Sequence, residues 1–325
     1  MHIIQFLNKH NHRAIGVVEE DKVNVLRNFR STYELFFSAD SNLNPEEVVS
    51  MHLSGTYEDY DSIVLSNRLL VPLSHPDNYR TWITGTGLTH YGSADSRDKM
   101  HQKISTSRRD ELTDSVKMFE MGMRNGKLIN NVPGVQPEWF YKGNGFTIVN
   151  PGHPVQAPAF GLDMGEEPEI AGIYINDING TPRRIGFVLG NEFSDHKMEK
   201  INYLYLAHSK LRHCSFGPEL FLGTLPDSIS GLTRIIRNGK TLWEKEFLTG
   251  ENHMTHNIAN LEYHHFKYEL FRQPGDVHVH FFGTSVLSFT DEIEPRDGDI
   301  FEIESNCFGK SLRNTLNIKK SVADG

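Results

Sequence analysis

Two apolar runs, Gly172-Ile173-Tyr174-Ile175 and Arg184-Ile185-Gly186-Phe187-Val188-Leu189, flank Asn179-Gly180, a pair suited to the positive-φ positions of a tight hairpin. No other stretch constrains the chain as much, because this hairpin fixes what lies at its open end. Glu167-Pro168-Glu169 precedes the first strand and Gly190-Asn191-Glu192-Phe193-Ser194-Asp195 closes the second, so Glu192 returns beside Glu167 and Glu169. Side chains alternate faces along a strand, which places Glu167 and Glu169 on one side and Pro168, without an N–H to donate, on the other. Three carboxylates gathered in this way repel one another unless a cation lies among them. Oxygen ligation without His or Cys favours magnesium, manganese or calcium over zinc. The plainer alternative is a solvated, acidic edge strand.

Elsewhere the pattern switches between short strands and helices. His2–Leu7, residues 14–18 and Lys22–Leu26 read as strands joined by polar turns. Residues 32–37 and 45–54 read as helices, the second with Pro45 in its first turn and Glu46 and Glu47 complementing the positive N-terminal end. A short apolar stretch at residues 69–73 leads onward, so a small α/β N-terminal domain is expected over residues 1–72 and a catalytic domain over residues 73–325. Residues 78–86 read as a strand running into Gly85-Thr86-Gly87. The polar, charged stretch after it is expected to be helical and to form a lid over residues 88–123. Asn238-Gly239 marks another hairpin and residues 257–270 another helix. The expected fold class is α+β, mostly β.

Composition narrows the partners. The 325 residues carry a net charge of -9 and no block of Lys and Arg, which argues against a nucleic-acid or anionic-membrane partner. No apolar run approaches the roughly 18 residues of a membrane span. The apolar start turns polar at Asn8-Lys9-His10, too early for a signal-peptide core. The two cysteines, Cys214 and Cys307, form neither a disulfide framework nor a zinc spacing. A cytoplasmic protein is the expectation.

Five blocks occur in one order: Trp139-Phe140-Tyr141-Lys142-Gly143, Glu167-Pro168-Glu169-Ile170-Ala171-Gly172, Asn191-Glu192-Phe193-Ser194, Ser209-Lys210 leading to Gly217-Pro218, and Gly283-Thr284 with Asp297-Gly298-Asp299. Together they resemble the fumarylacetoacetate hydrolase family. The phrases Gly-Asn-Glu-Phe-Ser-Asp and Gly-Thr-Gly-Leu-Thr-His-Tyr-Gly-Ser are most similar to its sugar-acid branch, the 2-keto-3-deoxy-pentonate dehydratases. The resemblance implies a mixed β-sandwich or roll for the catalytic domain, a homodimer, and a magnesium ion, with manganese or calcium as alternatives, held by Glu167, Glu169 and Glu192. It places Lys210 beside the metal, where a cation lowers a lysine pKa and makes it a base. It assigns the keto-acid end of the substrate to Thr284 and puts Lys142 and His196 in the substrate's reach. Arg97 and Asp98, on the expected lid, are placed to grip hydroxyls or a carboxylate.

The chain departs from the family twice. Glu192 stands where the hydrolases carry Asp, which lengthens that arm by one methylene. Ser93 stands where the hydrolytic members carry a His, and a serine cannot serve as the base that a histidine can at neutral pH. His90, one turn earlier, is the group able to substitute, and Ser93 is expected to assist a departing hydroxyl. The expected activity is thus that of a metal-dependent dehydratase, a lyase acting on a small 2-keto acid. It converts a 2-keto-3-deoxy pentonate to 2,5-dioxopentanoate through a metal-stabilised enolate. Cleavage of a C–C bond in an acylpyruvate or diketo sugar acid by hydrolysis shares that intermediate and is the alternative; a non-catalytic sugar-acid-binding protein is a second. His278 and His280 offer a rival metal site, since alternation puts both on one strand face, whereas the family resemblance leaves them as packed or surface groups.

Overall fold

The structure, a computed structural model, describes residues 1–93, 96 and 113–318. The expected hairpin is present: Pro168–Asn176 and Pro182–Asn191 pair antiparallel, Asp177 Oδ1 accepts from the N–H groups of Asn179 and Thr181 at 2.8 Å each, and Gly180 takes φ +79°. In chain order, the strands before it are β1 His2–Leu7, β2 Arg13–Glu19, β3 Lys22–Leu26, β4 Leu53–Asp59, β5 Leu69–Leu70, β6 Thr81–Gly87, β7 Glu138–Asn144, β8 Ile148–Val149 and β9 Val155–Ala157. The hairpin supplies β10 and β11. After it come β12 Cys214–Phe221, β13 Ile229–Arg237, β14 Lys240–Thr249, β15 Val277–Phe281, β16 Ile300–Ser305 and β17 Leu312–Ile318.

A 12-stranded sheet runs in the order β4-β3-β2-β1-β12-β11-β10-β15-β6-β7, with β5 against β1 and β8 against β12. A 5-stranded sheet, β14-β13-β16-β17-β9, faces it. Strand β10 lies between β11 and β15 and is buried along its whole length. Ala171, Ile173 and Ile175 pack with Ile15, Phe36 and Val277 on one side, while Ile170 packs with Leu189, Phe193, Ile303 and Leu316 between the sheets. Each fully buried isoleucine contributes about 1.5–3 kcal/mol by leaving water. A strand covered on both faces must be apolar nearly throughout, so the carboxylates sit at its mouth rather than along it. The mixed α/β architecture with two sheets agrees with the expected fold class.

The N-terminal strands extend the same large sheet, since β1 pairs with β12, and Ile3 and the helix Thr32–Ser38 share a core with Ile173 and Val277. Three boundaries differ from expectation. Helix Pro45–Ser50 starts with a reciprocal cap between Asn44 and Glu47 but ends early, because Leu53 onward gains a ladder with β3 and Gly55 takes a left-handed φ of +73° that no helix accommodates. Strand β6 starts late, because Asp77 caps a single 3-10 turn at Asn78–Arg80. Helix Ile258–Phe266 stops before a separate 3-10 turn at Glu269–Phe271. Of the expected lid, helix Asp114–Asn125, capped by Thr113, is among the described residues. No described helix is long and apolar enough to cross a membrane.

Candidate functional site

Strand register builds the site. Pro168 pairs with Asn191 and Glu169 with Gly190, so Glu192, one residue further, meets Glu167. Its N–H donates to Glu167 O at 3.1 Å, and Asn191 Oδ1 accepts from the Glu167 N–H at 3.1 Å. Gly165 and Ser194 exchange two backbone hydrogen bonds just beyond, at 2.9 and 3.0 Å. Phe193 turns the chain in left-handed backbone, φ +52°, a region costly for a bulky residue. Its ring, buried between the sheets 5.1 Å from the ring of Phe301, holds it there. One carboxylate oxygen from each of Glu167, Glu169 and Glu192 lies within 4.8 Å of the others, and all three residues are buried. A solvated edge strand is therefore not what this segment forms.

Each of these arms has a second partner. Glu167 Oε1 lies 2.9 Å from His196 Nε2 and accepts from Lys210 Nζ at 2.7 Å. Glu169 Oε2 accepts from the Gly283 N–H at 2.6 Å, presented by a glycine at φ +96°. Glu192 is paired through Oε1 with Lys142 Nζ at 2.7 Å, and its Oε2 accepts from Lys210 Nζ at 2.7 Å and Ser194 Oγ at 2.9 Å. Six buried carboxyls (Glu166, Glu167, Glu169, Glu192, Asp195 and Glu199) stand against four buried cationic groups (Lys142, His196, Lys210 and Arg212). The carboxyls form a crowded acidic set. Its like-charge stress shows in the titration. Burial, and then the charges of Glu167 and Glu192, push the Glu169 carboxyl well above the usual range. Glu192 is raised by burial that outweighs Lys142 and Lys210. Burial opposes ionisation of Glu167 too, but Lys210 and His196 hold its pKa well below the ordinary value. A buried donor set made only of carboxylate oxygens fits a hard cation such as magnesium.

Of the residues singled out in the sequence, Lys210, Ser93 and Thr284 line the same cavity as Glu167 and Glu169. Lys210, at the end of helix Leu206–Lys210, also donates to Ser194 Oγ at 2.8 Å and sits 4.7 Å over the Phe140 ring. Burial depresses the Lys210 pKa, but Glu167, Glu192 and Glu199 together push it above its ordinary value. Ser93 Oγ donates to His90 O at 2.6 Å, so at the cavity it accepts rather than donates. His90 faces away from the cavity. Its Nδ1 lies 3.1 Å from Thr89 Oγ1 and its Nε2 2.8 Å from Thr249 Oγ1, and burial, with the charge of His253, pushes its pKa down to about 3. It does not replace the missing base.

Lys142 and His196, expected at the substrate, sit behind the carboxylates because both are wholly buried under the arms they bind. His196 bridges Glu167 and Asp163, the latter 3.7 Å from Nδ1; burial opposes its charge, yet Asp163 and Glu167 push its pKa up to about 10. A Cβ on Gly165 would collide with this ring. Arg97 and Asp98 lie outside the described residues. His278 and His280 share a face as expected, but His278 Nδ1 lies 3.0 Å from His265 Nε2 and His280 Nδ1 2.8 Å from Thr84 Oγ1. Among the described residues, the three glutamates are the one group whose ligand atoms converge.

Sequence reasoning missed Glu199. It lies on the cavity wall, on helix His196–Ile201, which Asp195 caps through the Met198 N–H at 2.9 Å. Its Oε1 accepts from Ser209 Oγ at 2.6 Å and lies 3.8 Å from Lys210 Nζ. The available signal was spacing: a cap at Asp195 puts Glu199 on the helix face that follows the third carboxylate.

No family model matches the chain, and no curated protein matches it. Solved structures do. The 2-keto-3-deoxy-D-arabinonate dehydratase in its apo form has a TM-score of 0.71 at 18% identity, over 99% of this chain and 100% of that one. The same dehydratase complexed with magnesium and 2,5-dioxopentanoate has a TM-score of 0.71 at 17% identity, over 99% and 100%. The 5-carboxymethyl-2-hydroxymuconate delta-isomerase from Mycobacterium smegmatis has a TM-score of 0.59 at 16% identity, over 98% and 100%. At these identities the likeness speaks for architecture: along nearly its whole length, the chain has the fumarylacetoacetate hydrolase-like fold of that dehydratase and that isomerase.

Proposed function

We propose that this protein is a lyase of the fumarylacetoacetate hydrolase family that removes water from a 2-keto-3-deoxy sugar acid, a pentonate being the first choice. The observation that carries the reading is the convergence of Glu167, Glu169 and Glu192, the first two lining one cavity with Lys210, in the fold of a dehydratase solved with magnesium and 2,5-dioxopentanoate. A divalent cation held by the three glutamates supplies Lewis acidity toward the keto-acid end of the substrate.

The chain's own groups do the rest. The Thr284 hydroxyl and the Gly283 turn border the place where the keto acid enters. Glu199, on the cavity wall, accepts the proton that leaves C3. Lys210, held as an ammonium by its carboxylate neighbours, donates a proton to the departing C4 hydroxyl, which leaves as water. The pair then re-equilibrates over the 3.8 Å between Lys210 Nζ and Glu199 Oε1. For a pentonate, tautomerisation of the remaining enone gives the C5 aldehyde of 2,5-dioxopentanoate. Ser93 accepts a hydrogen bond from a substrate hydroxyl and so orients it. C–C bond hydrolysis is the alternative; among the described residues of the lid segment no histidine lines the cavity, since His90 is buried and neutral behind it.

Purified protein with magnesium and each C4 epimer of 2-keto-3-deoxy pentonate should yield a semialdehyde, read by an aldehyde-trapping or coupled dehydrogenase assay. Lys210→Met and Glu199→Gln should each lower kcat about 100-fold or more, the usual worth of a positioned acid or base. Cleavage fragments instead of an aldehyde would replace the dehydratase by a hydrolase. Absence of turnover with either epimer and with magnesium, manganese or calcium would overturn the reading.

A further inference from the structure

We infer that Lys142 is a positioning residue that sets the spacing between the third carboxylate arm and the cavity lysine; this rests on the metal-site reading above. Strand β7 carries a bulge at this point, since Ile83 pairs with Gly143 and Thr84 with Tyr141, leaving Lys142 as the extra residue. Bulges re-aim a side chain. Here the bulge sends the lysine inward while Tyr141 before it stays at the surface, and Gly143 after it takes φ +146°.

The ammonium is completely buried, and three oxygens surround it: Glu192 Oε1 at 2.7 Å, Phe193 O at 2.6 Å and Lys210 O at 2.9 Å. An ammonium carries three protons and accepts nothing; here it donates to two backbone carbonyls and forms an ion pair with Glu192 Oε1, so its neighbours come from three places. One is the arm that reaches the candidate cation. Another is the left-handed turn directly behind that arm. The third is the carbonyl of the residue whose side chain enters the cavity. Because Lys210 Nζ bonds the other oxygen of the same carboxylate, at 2.7 Å, Glu192 is held between two lysines, one on each oxygen. A glutamate arm has one more rotatable bond than an aspartate would, and the lysine behind it removes that freedom.

Stability alone does not account for this arrangement. A buried charge pair is often no better for folding than an apolar residue of the same volume, and methionine would fill the Lys142 channel without desolvating an ammonium. The same ammonium also joins the Glu192 arm to the backbone from which Lys210 projects, so its loss changes the geometry of both groups together.

The test measures Mn2+ binding by electron paramagnetic resonance, turnover of 2-keto-3-deoxy pentonate at saturating metal, and melting temperature, for the wild type, Lys142→Met, Lys142→Arg and Glu169→Gln. Lys142→Met should weaken Mn2+ about 10–100-fold, the range found when a ligand's outer partner is lost, and lower kcat about tenfold or more with KM changed less than about threefold. Lys142→Arg keeps the charge, but its planar donors cannot meet three oxygens arranged around a point. It should recover most of the Mn2+ affinity and little of kcat. A folded Lys142→Met with Mn2+ affinity and kcat within twofold of wild type overturns the inference, as does a wild-type kcat in Lys142→Arg should the methionine variant fail to fold. Wild-type protein that binds no Mn2+, or a Glu169→Gln variant that binds it equally well, overturns the metal-site reading together with this inference.

Discussion

Two groups of buried titratable side chains occupy neighbouring strands, one at the mouth of β10 and one along β15, and they behave in opposite ways. At β10 the carboxyls of Glu167 and Glu192 interlock with Lys142, Lys210 and His196, and Glu169 stands beside them at a cavity. Along β15, His278 and His280 lie against His265, ring centroids 5.0 and 4.5 Å away, in a packing of Trp82, Phe266 and Phe271. There, burial without a counter-charge pushes His278 and His280 down to about 3 and His265 well below its ordinary value, so all three rings stay neutral. Alternation gave both groups a common face. An ion site needs more than a face: ligand atoms that converge, an opening to reach them, and charges that do not already cancel.

The sharpest way to break this contrast is to disable one member of each group. Glu169→Gln removes a ligand but not volume, and should lower metal-dependent kcat/KM about 1,000-fold, the equivalent of about 4 kcal/mol of lost Lewis-acid stabilisation. His280→Leu, one strand away, should change it less than about twofold. Steady-state kinetics at saturating magnesium compares them directly. If the leucine variant lost as much as the glutamine variant, the imidazole cluster would have to be part of the chemistry.

A smaller effect separates the two groups by stability. Ligands that bind only the folded state add about 2.7 kcal/mol at a concentration of 100 Kd. Magnesium should therefore raise the melting temperature of wild type and of His280→Leu alike, EDTA should reverse the rise, and Glu169→Gln should show none of it. A shift that survives in Glu169→Gln would move the ion elsewhere.

How far each group could be read from the sequence differs for a physical reason. The β10 site was legible because its ligands sit at fixed offsets from a hairpin whose turn residues announce themselves, so register alone brings Glu192 to Glu167. Lys142 and His196 were legible as important but not as supports, because which side of a carboxylate a cation occupies is decided by the bulge in β7 and by the bare Cα of Gly165, neither of which has a periodicity. Glu199 was missed because its place on the cavity wall comes from how a short helix packs, not from a motif. The helix read through residue 54 failed where pairing with β3 overrode local preference.

The smallest expected effect is also specific to the histidines. His280 has a folded-state pKa near 3, below the roughly 6.5 of an unfolded chain. Between those values the unfolded state binds the extra proton, so stability rises with pH there. The contribution is fully present above about pH 6.5 and is lost as the pH falls, at about 1.4 kcal/mol per pH unit for one such histidine. His280→Leu deletes one of these titrations. Urea unfolding between about pH 4.5 and 6 should then show a pH slope shallower by about that amount than wild type, on top of a pH-independent loss of about 1–3 kcal/mol from the Thr84 Oγ1 contact that His280 Nδ1 makes. Equal slopes in the two proteins would mean that the ring is protonated in the folded state, and the distinction between a neutral imidazole core and a charged carboxylate site would fall with it.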